Sequence, residues 1–269
     1  MITLNLINNA TISEIVEKDF SIVSEAVLDS FKYYMSSTLY QPPKTKLVRP
    51  SGTDMLEDRI FALSAYAEEE QAAGLKWTSR HPDDDNHVLI ILNETKHNRP
   101  VAILDGCLIG VLRTFAITKI AMDLMLPDVK SVAIIGMGRL GRAHTTYLPK
   151  LYPSLEKIKC YSQHAVYDDL RSDRVVPCDS VEEVLEGVDV LVTCGRQRDP
   201  YIDTKMLSPQ TKLIINLSLF DLKEEVFESA DKIFIDDPKS CLESIIPLSQ
   251  AYKKGRIPKE KIELLENCI

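Results

Sequence analysis

The sequence predicts an α/β protein: a doubly wound parallel sheet in the C-terminal half, preceded by a smaller α+β part. Three observations predict it. The first half carries short β-like runs with no long helix between them, the second half alternates apolar runs with helical segments, and a glycine-rich turn opens that alternation. The 269 residues are enough for two modest domains, each burying its own core. Hydrophobic residues at 45% and charged residues at 27% are ordinary globular values and exclude extensive disorder. A net charge of −8 argues against a nucleic-acid partner or an acidic membrane surface, because phosphate-rich partners need a basic face. A local basic patch for a small anion is compatible with that balance.

Residues 12–37 carry a helical pattern, with Ile15, Phe20, Ile22, Val23, Val27, Leu28, Phe31 and Tyr34 at three- and four-residue spacing. "TKLVRP", "RIFALSAYA", "GLKWTSR", "HVLIILN" and "RPVAILDG" then read as short, largely antiparallel strands. A helical stretch over 107–126 follows, ending before Pro127 and Asp128. From residue 131, "VAIIG", "KIKCYS", "DVLVTCG", "KLIINLS" and "KIFIDD" read as strands separated by helices. Those helices are 139–150, "SVEEVLEG" with Ser180 as N-cap and Glu183 as its capping-box partner, and "DLKEEVFESA". Such alternation implies right-handed crossovers and a parallel sheet. The domain boundary is expected at 127/128, giving an α+β part over 1–127 and a parallel-sheet part over 128–269.

The six cysteines (Cys107, Cys160, Cys178, Cys194, Cys241 and Cys268) form no CxxC pair, and neither they nor the five histidines have metal-ligand spacing, so no metal is expected. The N-terminus lacks a basic region followed by a long apolar core, and no apolar run reaches eighteen residues, so a cytoplasmic chain is expected.

In "SVAIIGMGRLGRAH", Gly136, Gly138 and Gly141 follow a strand and open a helix, the context a GxGxxG fingerprint requires. Gly136 makes the tight turn, Gly138 lets the backbone approach a pyrophosphate, and Gly141 lets the helix pack on the strand. The loop residues Gly136, Met137, Gly138, Arg139, Leu140 and Gly141 are therefore candidate cofactor ligands in a Rossmann-type domain, with the helix N-terminus facing the phosphates. The competing reading is a structural turn without ligand. At the tip of the next strand, where an acid normally holds the adenosine ribose, the sequence offers Ser162, Gln163 and His164, and no acid before Asp168. This weakens a strict NAD preference and leaves room for a 2′-phosphate, so the cofactor is NAD or NADP. Arg139 and Arg142 suit either a phosphate or a solvated helix face.

The cations upstream are less legible. Lys76 lies in a β-like run beside Trp77, the only tryptophan, where the default reading is a solvated outward residue. Arg113 interrupts an apolar helix start and needs a partner, since burying it unpaired is costly. Lys44, Lys46 and Arg49 form a basic edge to which spacing assigns no role.

"QPPKT", "AGLKW", "AILDG" with "LRT", "GMGRLGRAH" and "LIINLSLFDLKEEVFESADKIFIDD" occur in the order seen in the ornithine cyclodeaminase/mu-crystallin family, which the chain resembles over nearly its whole length. The resemblance implies an N-terminal substrate-binding and dimerisation domain, a Rossmann domain and a homodimer. It makes Lys76 the active-site lysine, Arg113 the arginine gripping the substrate carboxylate, and Lys44 a second carboxylate ligand where many members have arginine. Burial beside Trp77 would lower the pKa of Lys76. The aspartate used by cyclodeaminases falls at about Leu219, with Asp221 near but out of register, which argues against ornithine cyclisation.

Within the family the chain is most similar to the branch that oxidises N-(2-amino-2-carboxyethyl)-L-glutamate in 2,3-diaminopropionate and siderophore biosynthesis. The implied reaction is NAD(P)-dependent oxidation followed by hydrolysis to L-2,3-diaminopropionate and 2-oxoglutarate. A ketimine reductase, an alanine-type dehydrogenase, an ornithine cyclodeaminase and a non-catalytic dinucleotide-binding protein are the alternatives. Members generally continue past the region matching "IPKEKIELLENCI" with a further strand and helix, so the expectation for these 269 residues is retained cofactor binding with weak turnover.

Overall fold

The computed structural model describes residues 4–48, 59–81, 83–164, 167, 170 and 172–269. Arg49 and Asp168, both singled out above, lie outside the described residues. Internal packing divides the chain into two compact units, Met1–Arg113 and Thr114–Ile269. The division falls inside the long helix Gly106–Met125, whose far end lies close to the boundary expected at 127/128.

The first unit is an antiparallel meander with two helices ahead of it. The helical pattern at 12–37 resolves into two helices, α1 (Asn9–Lys18) and α2 (Ser21–Met35). The Asn8 side chain caps α1 by accepting from the Thr11 N–H at 3.0 Å. The strands are β1 (Asn5–Ile7), β2 (Leu39–Tyr40), β3 (Thr45–Val48), β4 (Arg59–Ala67), β5 (Ala72–His81), β6 (Asp84–Glu94) and β7 (Arg99–Asp105). Their sheet runs β1-β7-β6-β5-β4-β2, with β3 also on β4. All neighbours are antiparallel except β1, a strand the sequence did not suggest, which pairs in parallel with β7. The α3 helix (Gly106–Met125) starts at once after β7. Asp105 accepts from the Cys107 N–H at 3.0 Å and from Asn9 Nδ2 at 2.7 Å, which ties the starts of α1 and α3 together.

The second unit is built on five parallel strands: β8 (Ser131–Ile135), β9 (Lys157–Tyr161), β10 (Val175–Pro177), β11 (Val190–Thr193) and β12 (Leu213–Asn216). Their order is β10-β9-β8-β11-β12, which reverses direction between β8 and β11. The two central strands are almost wholly buried, as near-continuous apolar runs in a doubly covered parallel sheet should be. The helices between them are α4 (Arg139–Leu151) and α5 (Val181–Leu185), followed by α6 (Glu224–Ser229), α7 (Pro238–Leu242) and α8 (Pro247–Lys253). Ser180 caps α5 as expected, accepting from the Glu183 N–H at 3.1 Å. Glu183 reaches one residue further back than a capping box requires, accepting from the Asp179 N–H. "KIFIDD" supplies β13 (Ile233–Ile235), which leaves the parallel sheet and pairs instead with β14 (Ile262–Leu264). Among the described residues no helix is long and apolar enough to cross a membrane.

Candidate active-site residues

The candidates fall in two groups, one in each unit. In the second unit the glycine turn lies at the point where the strand order reverses, the position at which open α/β sheets bind ligands. Each glycine has its own reason there. Gly136 has φ +97°, and a Cβ on it would sit 2.6 Å from the Cys194 carbonyl carbon, so both its conformation and its neighbour exclude a side chain. A Cβ on Gly141 would collide with the Gly136 carbonyl oxygen, so this glycine lets α4 close onto the turn. A Cβ on Gly138 would meet no atom of the described residues within 4 Å. Nothing in the fold therefore demands glycine at 138, and the space it leaves open is where a pyrophosphate would need close approach to the backbone.

Gly138 is the N-cap of α4 and supplies no side-chain cap, so the first amides of a 13-residue helix remain available to an anion. These features fit a dinucleotide. Met137 is buried beneath the turn, while Arg139 is exposed at the start of the helix. The Leu140 carbonyl is occupied, accepting from His144 Nδ1 at 2.8 Å. The other ring nitrogen of His144 lies 2.9 Å from the Thr118 hydroxyl of α3. This network assigns the proton to Nδ1, and burial pushes the imidazole pKa down to about 4. At the tip of β9, Ser162 is half-buried, with its N–H donating to the Tyr167 hydroxyl at 2.9 Å, and Gln163 is exposed.

The sequence reading missed what lies under this turn. Gly195, directly after β11, donates its N–H to Asp221 Oδ2 at 2.9 Å, and a Cβ on Gly195 would strike that carboxyl group. Asp221 is fully buried, its Oδ1 has no hydrogen-bond partner among the described residues, and burial raises its pKa. The carboxyl thus supports the Cys194–Gly195 segment against which Gly136 packs. The glycine ending "DVLVTCG" was the available signal, because glycine at a strand end marks a close approach.

In the first unit the structure brings Lys44 and Arg113 within electrostatic reach of Lys76. Lys76 is half-buried in β5, opposite Leu63 of β4 and Ile90 of β6. Burial pushes its ammonium pKa down, and the positive charges of Arg113, Arg80 and Lys44 push it further the same way. Lys76 is therefore not the solvated outward residue that strand patterning suggests. The expected partnership with Trp77 is also corrected. Consecutive strand residues point to opposite faces, so Trp77, 37% exposed, lies on the other side of the sheet and contributes nothing to the burial of Lys76. Arg80 is a further member of the cluster that the sequence reading did not single out; its position four residues along the same strand as Lys76 was the signal.

A parallel sheet of this order, with a glycine turn at its reversal point, preceded in the chain by an α+β unit carrying a cationic cluster, defines an α/β protein of dinucleotide-binding architecture. The profile of the ornithine cyclodeaminase/mu-crystallin family matches residues 9–231, and the chain belongs to that family. It is 25% identical over 274 residues to the N-((2S)-2-amino-2-carboxyethyl)-L-glutamate dehydrogenase of Staphylococcus aureus, covering 95% of this chain and 81% of that protein. It is 26% identical over 199 residues to the NAD(P)H-dependent anabolic L-arginine dehydrogenase of Pseudomonas aeruginosa, covering 69% of this chain and 60% of that one. The Δ1-pyrroline-2-carboxylate reductase of Thermococcus litoralis, solved with NADH and L-proline, superposes with a TM-score of 0.80 at 20% identity, over 97% of this chain and 84% of that one.

Proposed function

We propose that this chain is an NAD(P)-dependent oxidoreductase acting on the C–N bond of an N-substituted amino acid, converting N-(2-amino-2-carboxyethyl)-L-glutamate to L-2,3-diaminopropionate and 2-oxoglutarate. The observation that carries the reading is the convergence of Lys44, Lys76 and Arg113 in a chain that also keeps an open glycine turn at Gly138. The staphylococcal relative acts, by its name, on the same substrate. A bound nicotinamide dinucleotide supplies the acceptor for a hydride.

Gly136, Gly138 and Gly141 shape the turn that receives the pyrophosphate, with Met137, Arg139 and Leu140 completing the loop. Ser162 and Gln163, at the tip of β9, would hold the adenosine ribose of either NAD or NADP. Arg113 and Lys44 bind substrate carboxylates and so orient the α-hydrogen. Lysine at 44 holds its carboxylate as a point charge where arginine would form a fork. Lys76, whose surroundings disfavour the ammonium, takes the proton from the substrate nitrogen as the C=N bond forms. Water then adds to that carbon, and collapse of the adduct breaks the C–N bond to release the amine and the oxo acid.

The unit 1 sheet also supports a homodimer. The pairing register places Leu6, Tyr40, Leu47, Tyr66, Trp77 and Leu89 on the face opposite Lys76, and all are exposed, Leu6 at 79% and Tyr40 at 68%. An apolar face of this extent is expected to be covered by a second copy.

The test is a steady-state assay following nucleotide reduction with N-(2-amino-2-carboxyethyl)-L-glutamate, with release of 2-oxoglutarate measured in parallel. Turnover of that substrate over ornithine and alanine is expected. Nucleotide binding with no turnover of any amine or imine would remove the catalytic reading and leave a binding protein.

A further inference from the structure

The strand order of the parallel sheet fixes which half of a dinucleotide lies over which strands. The glycine turn ends β8, and the tip proposed for the adenosine ribose ends β9, its neighbour on one side. A dinucleotide whose pyrophosphate sits on the turn therefore carries its nicotinamide half to the other side, over the ends of β11 and β12. The glycine turn and these strand ends all belong to one compact unit.

The last in-register row of this sheet is Tyr161, Ile135, Thr193 and Asn216, whose side chains share one face. Its two members on the nicotinamide side are polar, although the strand residues leading to them, 190–192 and 213–215, are all apolar. Thr193 is fully buried and Asn216 half-buried. The Thr193 hydroxyl donates to Asn216 Oδ1 at 2.7 Å. The Ser218 hydroxyl, also buried, lies 2.9 Å from the same oxygen and 3.1 Å from Thr193 Oγ1. Packing the end of a sheet needs no such trio, since apolar side chains of the same shape serve as well. What the trio achieves is orientation. Two hydroxyls converging on one atom mark it as the amide oxygen, which has two lone pairs. With Oδ1 held towards β11, the Nδ2 hydrogens are the donors that Asn216 has to offer a ligand.

We infer that Asn216 holds the carboxamide of the nicotinamide, its Nδ2 donating to the carboxamide oxygen, with Thr193 and Ser218 as positioning residues behind it. The inference rests on the reading of the glycine turn as the dinucleotide site, and it deepens that reading by naming what grips the reacting ring. Hydride passes to one face of that ring, so fixing the carboxamide sets which face is offered.

The test uses the full chain and two probes that share one pyrophosphate, NADH and ADP-ribose, the second with a hydroxyl in place of the nicotinamide ring. Calorimetry is expected to show NADH binding about tenfold more tightly in the wild type. Asn216→Asp keeps the shape and the oxygen that the hydroxyls meet, but it replaces the donors with an acceptor that repels the carboxamide oxygen. It should lower NADH affinity about tenfold and leave ADP-ribose affinity unchanged. If that variant does not fold, as judged by thermal unfolding, Asn216→Ala replaces it with the same expectation. In the wild type, the side-chain amide resonance of Asn216 should shift in NMR spectra with NADH and stay in place with ADP-ribose.

A preference that survives undiminished in a folded variant overturns the inference. So does a parallel fall in both affinities, which is what a merely structural Asn216 would give. Equal binding of the two probes by the wild type removes the role of Asn216 and leaves the dinucleotide reading in place, whereas binding of neither removes both. The measurement needs no turnover, so it stands apart from the fate of the proposed reaction.

Discussion

At the scale of single residues, the glycines of the turn separate structure from function. Gly138→Ala adds a methyl group that meets no atom of the described residues, so the variant should fold with an unchanged melting temperature. The same methyl group would occupy the space proposed for the pyrophosphate, and calorimetry should show dinucleotide affinity falling at least tenfold. Gly141→Ala should behave in the opposite order, because its methyl group would press into the Gly136 carbonyl. A loss on the order of 3 kcal/mol in denaturant unfolding is expected before any ligand is added. Lys76→Ala should lower kcat by roughly 10²-fold or more while KM changes little, as loss of a proton-transfer group does. In its proposed role as a base, Lys76 should make the rate rise with pH through a pKa below the ordinary 10.5. Arg80→Gln, by removing one of the neighbouring positive charges, should move that rising limb to higher pH. A limb that stays in place would show that the charge of Arg80 does not reach Lys76.

At the scale of elements, α4 is held to α3 by His144, which is neutral and fully buried between the Leu140 carbonyl and the Thr118 hydroxyl. Its folded pKa of about 4 lies below the ordinary 6.5, so above pH 6.5 its contribution to stability is complete. As pH falls from 6.5 towards 4 the unfolded chain takes up a proton that the folded chain refuses, and stability is lost. The loss should be on the order of 3 kcal/mol across that window. Carboxylates titrate nearby in pH, so the measurement is the difference between wild type and His144→Gln in urea unfolding at several pH values. Equal pH slopes for the two proteins would contradict the assignment. The tip of β9 is the other element with a consequence. Ser162→Asp should favour NAD over NADP, because an acid there repels a 2′-phosphate and binds ribose hydroxyls. An unchanged cofactor ratio would mean that this strand tip does not set the choice.

At the scale of the whole molecule, the two units differ in how they bury their apolar residues. The parallel-sheet unit encloses Ala133, Ile135, Leu191, Ile202 and Leu222 in one core. Among the described residues of the antiparallel unit, Trp77 and Leu89 lie directly opposite each other on one sheet face, and both are exposed. If a second copy covers that face, Leu89→Asp should convert the protein to a monomer in analytical ultracentrifugation and leave dinucleotide affinity intact, since the glycine turn belongs to the other unit. A wild type that sediments as a monomer at high concentration would remove the dimer from the proposal.

The sequence alone determined the parts governed by local periodicity and by residues with few conformational options. The antiparallel run, the strand and helix alternation, the Ser180 cap and the glycine turn were all legible, because period-two and period-three-to-four patterns and glycine's backbone freedom act over a few residues. The break between α1 and α2, the parallel pairing of β1 with β7 and the departure of β13 from the main sheet were not legible, because they depend on partners distant along the chain. The same limit governed the site. Lys44, Lys76 and Arg113 were nameable through family resemblance, whereas strand pattern alone made Lys76 a solvated residue. Only the tertiary structure set Lys76 on the face away from Trp77 and among other cations. Asp221 under Gly195 and Asn216 beside Thr193 were likewise decided by long-range register. A charge's surroundings depend on what the fold brings against it, and no local rule of sequence carries that information.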